Sequence, residues 1–370
     1  MNSSIQIGKI MGIPIKLHIT FLLIIPVFGY IFANNPPSFG FSDVEQLLLR
    51  YVLGLSVAIL LFACVLLHEL GHSYVAKKHG SNIQGITLFL FGGVSSLEDI
   101  PRNPKIEFKM ALAGPAVSLL IGSTLIIFYG ILEAYISMGN PDSPMSNPFL
   151  RLVWMMGLIN VTLSIFNLLP AFPMDGGRVL RAVLAGRMSY LKATRTAAYV
   201  GKMFAIFLGI FGFLTVPGGV WFMLIAFFIY IGASEEEKST QVSVTLEGMK
   251  IRDIMSRDVT SVPFGMSVEE LVDFMFKHKH MGYPVVDGTE IKGIVTFTDV
   301  QNVPREERKI INVSNIMTKE IITLKEDDDA VKALKIMTTN NIGRIIIIQD
   351  KKMIGIVSRT DLLRSVQLLE

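Results

Sequence analysis

The sequence predicts a multi-pass α-helical membrane protein, with about six transmembrane helices, that carries a soluble C-terminal α/β module. Three observations predict this. Hydrophobic residues make up 51% of the 370-residue chain and charged residues only 18%, with a mean hydropathy of +0.51. A soluble domain is nearer a quarter charged. The charge is also unevenly spread: residues 1–233 hold 15 Lys+Arg and 9 Asp+Glu, residues 234–370 hold 19 and 22. Lastly, the charged part contains an internal repeat. Disorder is excluded by the apolar content. The single cysteine, Cys64, excludes a disulfide framework and any Cys-based zinc module. A net charge of +3 gives no reason to expect a nucleic-acid partner.

A span needs about 20 mostly apolar residues. Six stretches qualify: 17–33, 47–76, 110–136, 150–173, 197–216 and 219–231, the last short and glycine-rich at its start. Residues 1–16 lack the apolar core and small-residue cleavage site of a signal peptide. Lys and Arg then set the orientation. Lys9 and Lys16 precede the first span. Lys77, Lys78, Arg102, Lys105 and Lys109 follow the second, and Arg178, Arg181, Arg187, Lys192 and Arg195 follow the fourth. The intervening loops, 34–46, 137–149 and 217–218, carry none. The positive linkers share one side, so both termini and the soluble part are expected in the cytoplasm of a cell-membrane protein.

The second span ends in His68-Glu69-Leu70-Gly71-His72, an H-E-x-x-H pattern on an apolar helix. Residues four apart share a helix face, so both imidazoles can reach one Zn²⁺. Glu69, one step round the helix, is placed to take a proton from a zinc-activated water and pass it to the leaving amine. Three ionisable groups within five residues of such a helix are costly unless a metal pairs them.

A catalytic zinc needs a third protein ligand and an open position. His18 and His79 read as helix-end residues, and His278 and His280 belong to the soluble part, which leaves a carboxylate. Asp175 is the best placed. It lies in Asn167-Leu-Leu-Pro170-Ala-Phe-Pro173-Met174-Asp175-Gly176-Gly177, at the cytoplasmic end of the fourth span. Prolines break the helix there and the glycines permit a tight turn. Glu98, Asp99 and Glu107 sit among positive loop charges and read as interfacial.

These motifs together resemble the site-2 proteases, a family of intramembrane zinc metalloproteases. The resemblance covers residues 1–233. Phe91-Gly92-Gly93-Val94 looks like the family's membrane-associated hairpin, and Ala113-Gly114-Pro115 like its small-residue motif. Met174 stands where leucine is common, a mild change in volume. The resemblance implies that His68, His72 and Asp175 bind one zinc, that Glu69 is the catalytic base, and that Asn167 and Pro170 position the substrate. The expected substrate is a transmembrane or membrane-proximal protein segment within the lipid bilayer. A helix hides its own carbonyls, so cleavage requires local unwinding. The unwound strand is expected to add to an exposed edge around residues 86–94.

Residues 234–247 read as a charged linker, followed by units 248–304 and 305–370. Met255/Met317, Met275/Met337, Gly293/Gly355 and Asp299/Asp361 recur at a spacing of 62, and Gly282/Gly343 at 61, which implies one insertion. Each unit reads as a helix, two β-branched strands and a helix start. The pair resembles a tandem CBS (cystathionine-β-synthase) module. That resemblance implies that Thr296, Asp299, Ser358 and Asp361 bind an adenine nucleotide, ATP, ADP or AMP, and that two chains pair as a homodimer through the module. The expected function is regulated intramembrane proteolysis; the alternative is a CBS-regulated transporter or channel.

Overall fold

A computed structural model describes residues 4–89, 92–97, 102–139, 147–350 and 352–368, with the backbone alone for 92–97 and 137–139. Phe91, Glu98 and Asp99 lie outside the described residues. The chain divides into two units, Met1–Lys238 and Ser239–Glu370.

The first unit opens with an element the span analysis did not anticipate. Strands β1 (Ser4–Ile10) and β2 (Ile13–His18) form an antiparallel hairpin, and β2 then pairs in parallel with β3 (Ile83–Phe89). β3 pairs antiparallel with β4 (Gly92–Leu97), giving the order β1-β2-β3-β4. The expectation of an exposed edge along 86–94 therefore fails for 86–88 and holds for 92–94 on β4, while residues 90 and 91 lie outside the described residues. From Ile86 to Leu88 the strand is bonded on both sides, and the free edge near the hairpin is β4. Ile13, Ile15, Ile86 and Leu88 alternate onto one sheet face and pack on Phe21, Phe62 and Leu70.

The helices are α1 (Ile19–Asn34), α2 (Leu47–Lys78), α3 (Pro104–Gly139), α4 (Pro148–Asn167), α5 (Asp175–Ala185), α6 (Tyr190–Leu214) and α7 (Val220–Thr245). Among the described residues, four of these, α2, α3, α4 and α6, are long and apolar enough to cross a membrane. The expected count of six is thus not confirmed by that measure. α1 is apolar but has only 16 residues. α7 is apolar only to about Ile231, then runs into Glu235, Glu236 and Glu237. The stretch read as a linker is helical as far as Thr245. Leu23, Ile131, Phe207 and Leu214 are among many large apolar side chains left exposed. A bilayer, not water, is the solvent that such a surface fits.

Helices α2 and α3 approach closely at glycine. A Cβ at Gly71 would stand 2.9 Å from the Ala113 carbonyl oxygen. Small residues at such crossings let backbones meet in a membrane, where lipid gives no hydrophobic drive to association. At the far end, Arg151 of α4 is buried. It donates to both carboxylate oxygens of Asp43, at 2.5 and 2.7 Å, and to the Gly40 carbonyl at 3.1 Å.

The second unit contains two three-stranded sheets. One has β5 (Val262–Pro263), β6 (Gly282–Asp287) and β7 (Glu290–Thr296). The other has β8 (Thr323–Leu324), β9 (Arg344–Gln349) and β10 (Lys352–Ser358). Each carries helices: α8 (Val268–His278), α9 (Phe297–Gln301) and α10 (Val313–Ile316), then α11 (Ala330–Thr339) and α12 (Arg359–Leu368). Strand register corrects the expected insertion. Gly282 pairs with Thr296 as Arg344 pairs with Ser358, so Arg344 is the counterpart of Gly282 and the spacing of 62 is kept through these strands.

The two repeats exchange segments. Leu246, Ile251 and Met255 precede the first repeat's strands yet pack in the core of the second, on Ile345, Ile347 and Val357. Val313 and Met317 pack in the core of the first. This explains the recurring Met and Gly. A Cβ at Gly293 would meet Met317 Sδ at 2.8 Å, and one at Gly355 would meet Met255 Sδ at 2.8 Å. Each glycine makes room for the other repeat's methionine.

Candidate metal centre

α2 is helical through the H-E-x-x-H stretch and closes at His79, with Gly80 left-handed beyond it at φ +87°. Both His68 and His72 are buried. The third group comes from 107 residues away. α4 ends at Asn167, and a turn over 168–174 delivers Asp175 as the first residue of α5. The glycines after Asp175 fit this turn closely. A Cβ at Gly176 would strike the carbonyl oxygens of Leu168 and Leu169, and one at Gly177 would stand 2.6 Å from the Phe172 nitrogen.

The ligand atoms converge. His68 Nε2 and His72 Nε2 are 3.1 Å apart, and Asp175 Oδ2 lies 3.2 Å from the first and 3.1 Å from the second. Among the described residues, this trio is the one His/Cys/Asp/Glu cluster able to hold a metal ion. The other imidazole nitrogens are held in place: His68 Nδ1 lies 2.9 Å from Ser118 Oγ, and His72 Nδ1 lies 2.7 Å from the Met110 carbonyl oxygen. These partners fix each ring so that Nε2 faces the other ligands, as outer partners of metal-bound histidines do.

The donor set fits zinc. A tetrahedral ion with ligands at about 2.0–2.1 Å sets them roughly 3.3 Å apart, close to the observed separations. Gly114 supplies a second observation. A Cβ there would collide with His72 Nε2 and stand 2.7 Å from His68 Nε2. The absence of a side chain on α3 thus opens space beside both ligand nitrogens.

Glu69 is half-buried on α2 between the two histidines, outside the trio itself. Asn167 is half-buried and donates Nδ2–H to the Leu163 carbonyl at 2.9 Å; Pro170 is exposed in the following turn. Glu107, expected at the interface, is instead buried and ion-paired with Arg181. Its neighbours in sequence are cationic, whereas its ion-pair partner sits 74 residues on, beyond the reach of a local charge pattern. Ser118 and the Met110 carbonyl were not foreseen. A backbone carbonyl has no sequence signature, and a serine inside a long helix has no distinctive one.

The four candidate CBS residues form two separate local pairs. Thr296 donates to Asp299 Oδ2 from Oγ1 at 2.7 Å and from its backbone nitrogen at 2.8 Å. Ser358 does the same to Asp361 Oδ2, at 2.7 and 2.9 Å. Each pair caps the helix that follows.

A membrane helix bearing two histidines, a carboxylate brought to them across the fold, and a C-terminal repeat pair define a membrane-embedded zinc metalloprotease with an appended repeat module. A model of Peptidase family M50 matches residues 56–208, and CBS domain models match 251–306 and 313–368. The chain is 38% identical to "Zinc metalloprotease MJ0392" of Methanocaldococcus jannaschii, over 100% of this chain and 98% of that one. It is 30% identical to "Putative zinc metalloprotease Rip3" of Mycobacterium tuberculosis, over 98% and 93%. A solved structure, "Site-2 Protease from Methanocaldococcus jannaschii", shares 39% identity over 63% of this chain and 95% of that chain, with a TM-score of 0.43. The chain belongs to the M50 family of site-2 zinc metalloproteases and carries a tandem CBS pair. Family membership decides against the transporter or channel alternative.

Proposed function

We propose that His68, His72 and Asp175 hold one zinc per chain, that Glu69 is the catalytic base, and that the protein cuts transmembrane or membrane-proximal segments of other membrane proteins. The observation that carries this is the convergence of three ligand atoms with both outer imidazole nitrogens already bonded. Zinc, when bound, polarises a carbonyl and activates water. The protein's own groups do the rest. Ser118 and the Met110 carbonyl keep the imidazoles aimed. Glu69 takes a proton from the attacking water and delivers it to the leaving nitrogen. Asn167 and Pro170, at the end of α4 beside the Asp175 turn, position the unwound substrate, and β4 offers it a strand edge.

The domain division follows the sequence reading: a protease domain over 1–233, a connecting stretch over 234–247, and CBS repeats over 248–304 and 305–370. The CBS pair binds an adenine nucleotide through Thr296, Asp299, Ser358 and Asp361, and this regulates proteolysis. It also joins two chains as a homodimer. Both termini and the CBS pair lie in the cytoplasm of the cell membrane, on the side of the Lys- and Arg-rich linkers.

The test is cleavage of a model transmembrane substrate in detergent, with zinc content measured beside it. Glu69→Gln is expected to keep zinc and lose at least about a hundredfold in rate, within the range for a lost general base. Asp175→Ala is expected to lose zinc affinity. A Glu69→Gln protein that still cuts at the wild-type rate would overturn the assignment of the base. Nucleotide titration of the wild type tests the CBS role.

A further inference from the structure

A second buried cluster lies on the helix that carries Asp175. Arg181 of α5 is buried and donates to Glu107 Oε1 of α3, from Nε at 2.7 Å and Nη2 at 2.6 Å. Its Nη1 donates to Glu236 Oε1 of α7 at 2.6 Å. The guanidinium also stands 5.0 Å over each of the Phe172 and Tyr190 rings. We propose that this triad positions the metal centre: it ties the helix bearing Asp175 to the helix that orients both histidines, and makes that tie depend on α7.

This positioning role rests on His68, His72 and Asp175 being the zinc ligands proposed above. Those ligands come from two chain segments that must be held in register. α3 aims both histidines, through Ser118 and through the Met110 carbonyl. Glu107 is on the same helix, one turn before Met110. The Arg181–Glu107 bonds therefore fix α5, and with it Asp175, to the element that sets the other two ligands. α5 has only 11 residues and follows a broken turn. Close glycine packing holds its first turn, and Arg181 holds its second half. Stability alone is a weak reason for such a cluster, because well-packed apolar residues often serve a buried site equally well. Setting the relative position of two elements is a role for directed, charge-assisted bonds, here two N–H donors on one carboxylate oxygen.

Glu236 adds a connection. It lies on α7, which runs on to Thr245. The next residue, Leu246, is a core residue of the CBS pair. A shift of α7 along its axis would pull on Arg181, and hence on the third ligand.

Zinc affinity of the full-length protein in detergent, measured by competition with a chromophoric chelator, tests this. The triple variant Glu107→Gln/Arg181→Met/Glu236→Gln removes all three charges together, so none is left buried without a partner. Its metal-free thermal midpoint is expected to stay near wild type while zinc affinity falls about tenfold, the low end for lost outer-shell support. Cleavage should recover at raised zinc with KM unchanged. Glu236→Gln leaves the Arg181–Glu107 bonds in place and guards against misfolding of the triple; a severalfold loss is expected. Lys202→Gln, which breaks the neighbouring Lys202–Glu237 pair at 2.7 Å, should keep wild-type affinity. Wild-type zinc affinity in a folded triple variant or in Glu236→Gln would overturn the proposal. Wild-type affinity in Asp175→Ala would overturn the ligand assignment beneath it.

Discussion

The metal centre and the CBS pair both display motifs with functional residues, yet their geometry differs in kind. At the metal centre, His68 meets Asp175 across 107 residues of chain, and Ser118 across 50. No local rule of helix or turn formation would gather these groups. In the CBS pair, Thr296 meets Asp299 and Ser358 meets Asp361 across three residues, in bonds that helix capping requires with no ligand at all. Long-range convergence of buried polar groups therefore carries functional information that a local pair does not. The metal-site reading stands on geometry; the nucleotide reading stands on motif.

The largest effect that would sharpen this contrast is at Gly114. Gly114→Ala puts a methyl group against both ligand nitrogens, and zinc affinity should fall at least about a hundredfold, the upper end for disturbed metal surroundings. Competition with a chelator measures it, and the far-ultraviolet circular dichroism should stay helical. In the CBS pair the comparable disruption is to packing. Gly355→Val drives a larger side chain into Met255, at a cost of about 1–3 kcal/mol for overpacking. The CBS unfolding step should move to lower temperature while zinc affinity is unchanged. Equal loss of zinc in both variants would erase the distinction between the two regions.

Asp43 and Arg151 form another long-range pair, across 108 residues of chain. Their bonds hold the Asp43 carboxyl below the usual carboxylate range, chiefly through the hydrogen bond from Arg151. A carboxylate with a lowered folded pKa stabilises fully above its unfolded value, near 3.9, and that contribution is lost as pH falls through the folded value. Asp43→Asn should lower stability by about 2 kcal/mol at pH 7. That is less than the roughly 3–5 kcal/mol of a fully buried pair, because the Asp43 side chain is 39% exposed. Wild type and variant should converge in acid. A gap that does not shrink as pH falls below the unfolded value would contradict the electrostatic account. Smallest of all is Ser358→Ala, which removes a cap worth about 1 kcal/mol. If adenine nucleotide binding, read by calorimetry, also disappears, the local pair has a second role; if stability alone changes, it is a cap.

Much of this was legible in the sequence, for identifiable reasons. H-E-x-x-H fixes a helix face by spacing, and Asp-Gly-Gly after two prolines marks a break at the matching depth. The alternation of Ile5, Ile7, Ile13 and Ile15 is a period-two signal that the search for apolar spans passed over. Arg181 and Glu107 were hidden because a buried ion pair looks, in sequence, like ordinary loop charge. The crossed packing of Met255 and Met317 left a trace as the repeat itself, but which repeat each methionine serves is a property of topology. The end of the last apolar stretch was not legible, because α7 runs unbroken into Glu235–Glu237 and composition marks the change of solvent and not the end of the helix.

In the proposed site, zinc is held by two imidazoles and one carboxylate. Zinc-edge X-ray absorption on the purified full-length protein tests it most directly. One zinc per chain is expected, with a first shell of nitrogen and oxygen at about 2.0–2.1 Å and the outer scattering of two imidazoles. A sulfur shell at about 2.3 Å, which would bring in Cys64, or a shell without imidazole scattering, would contradict it.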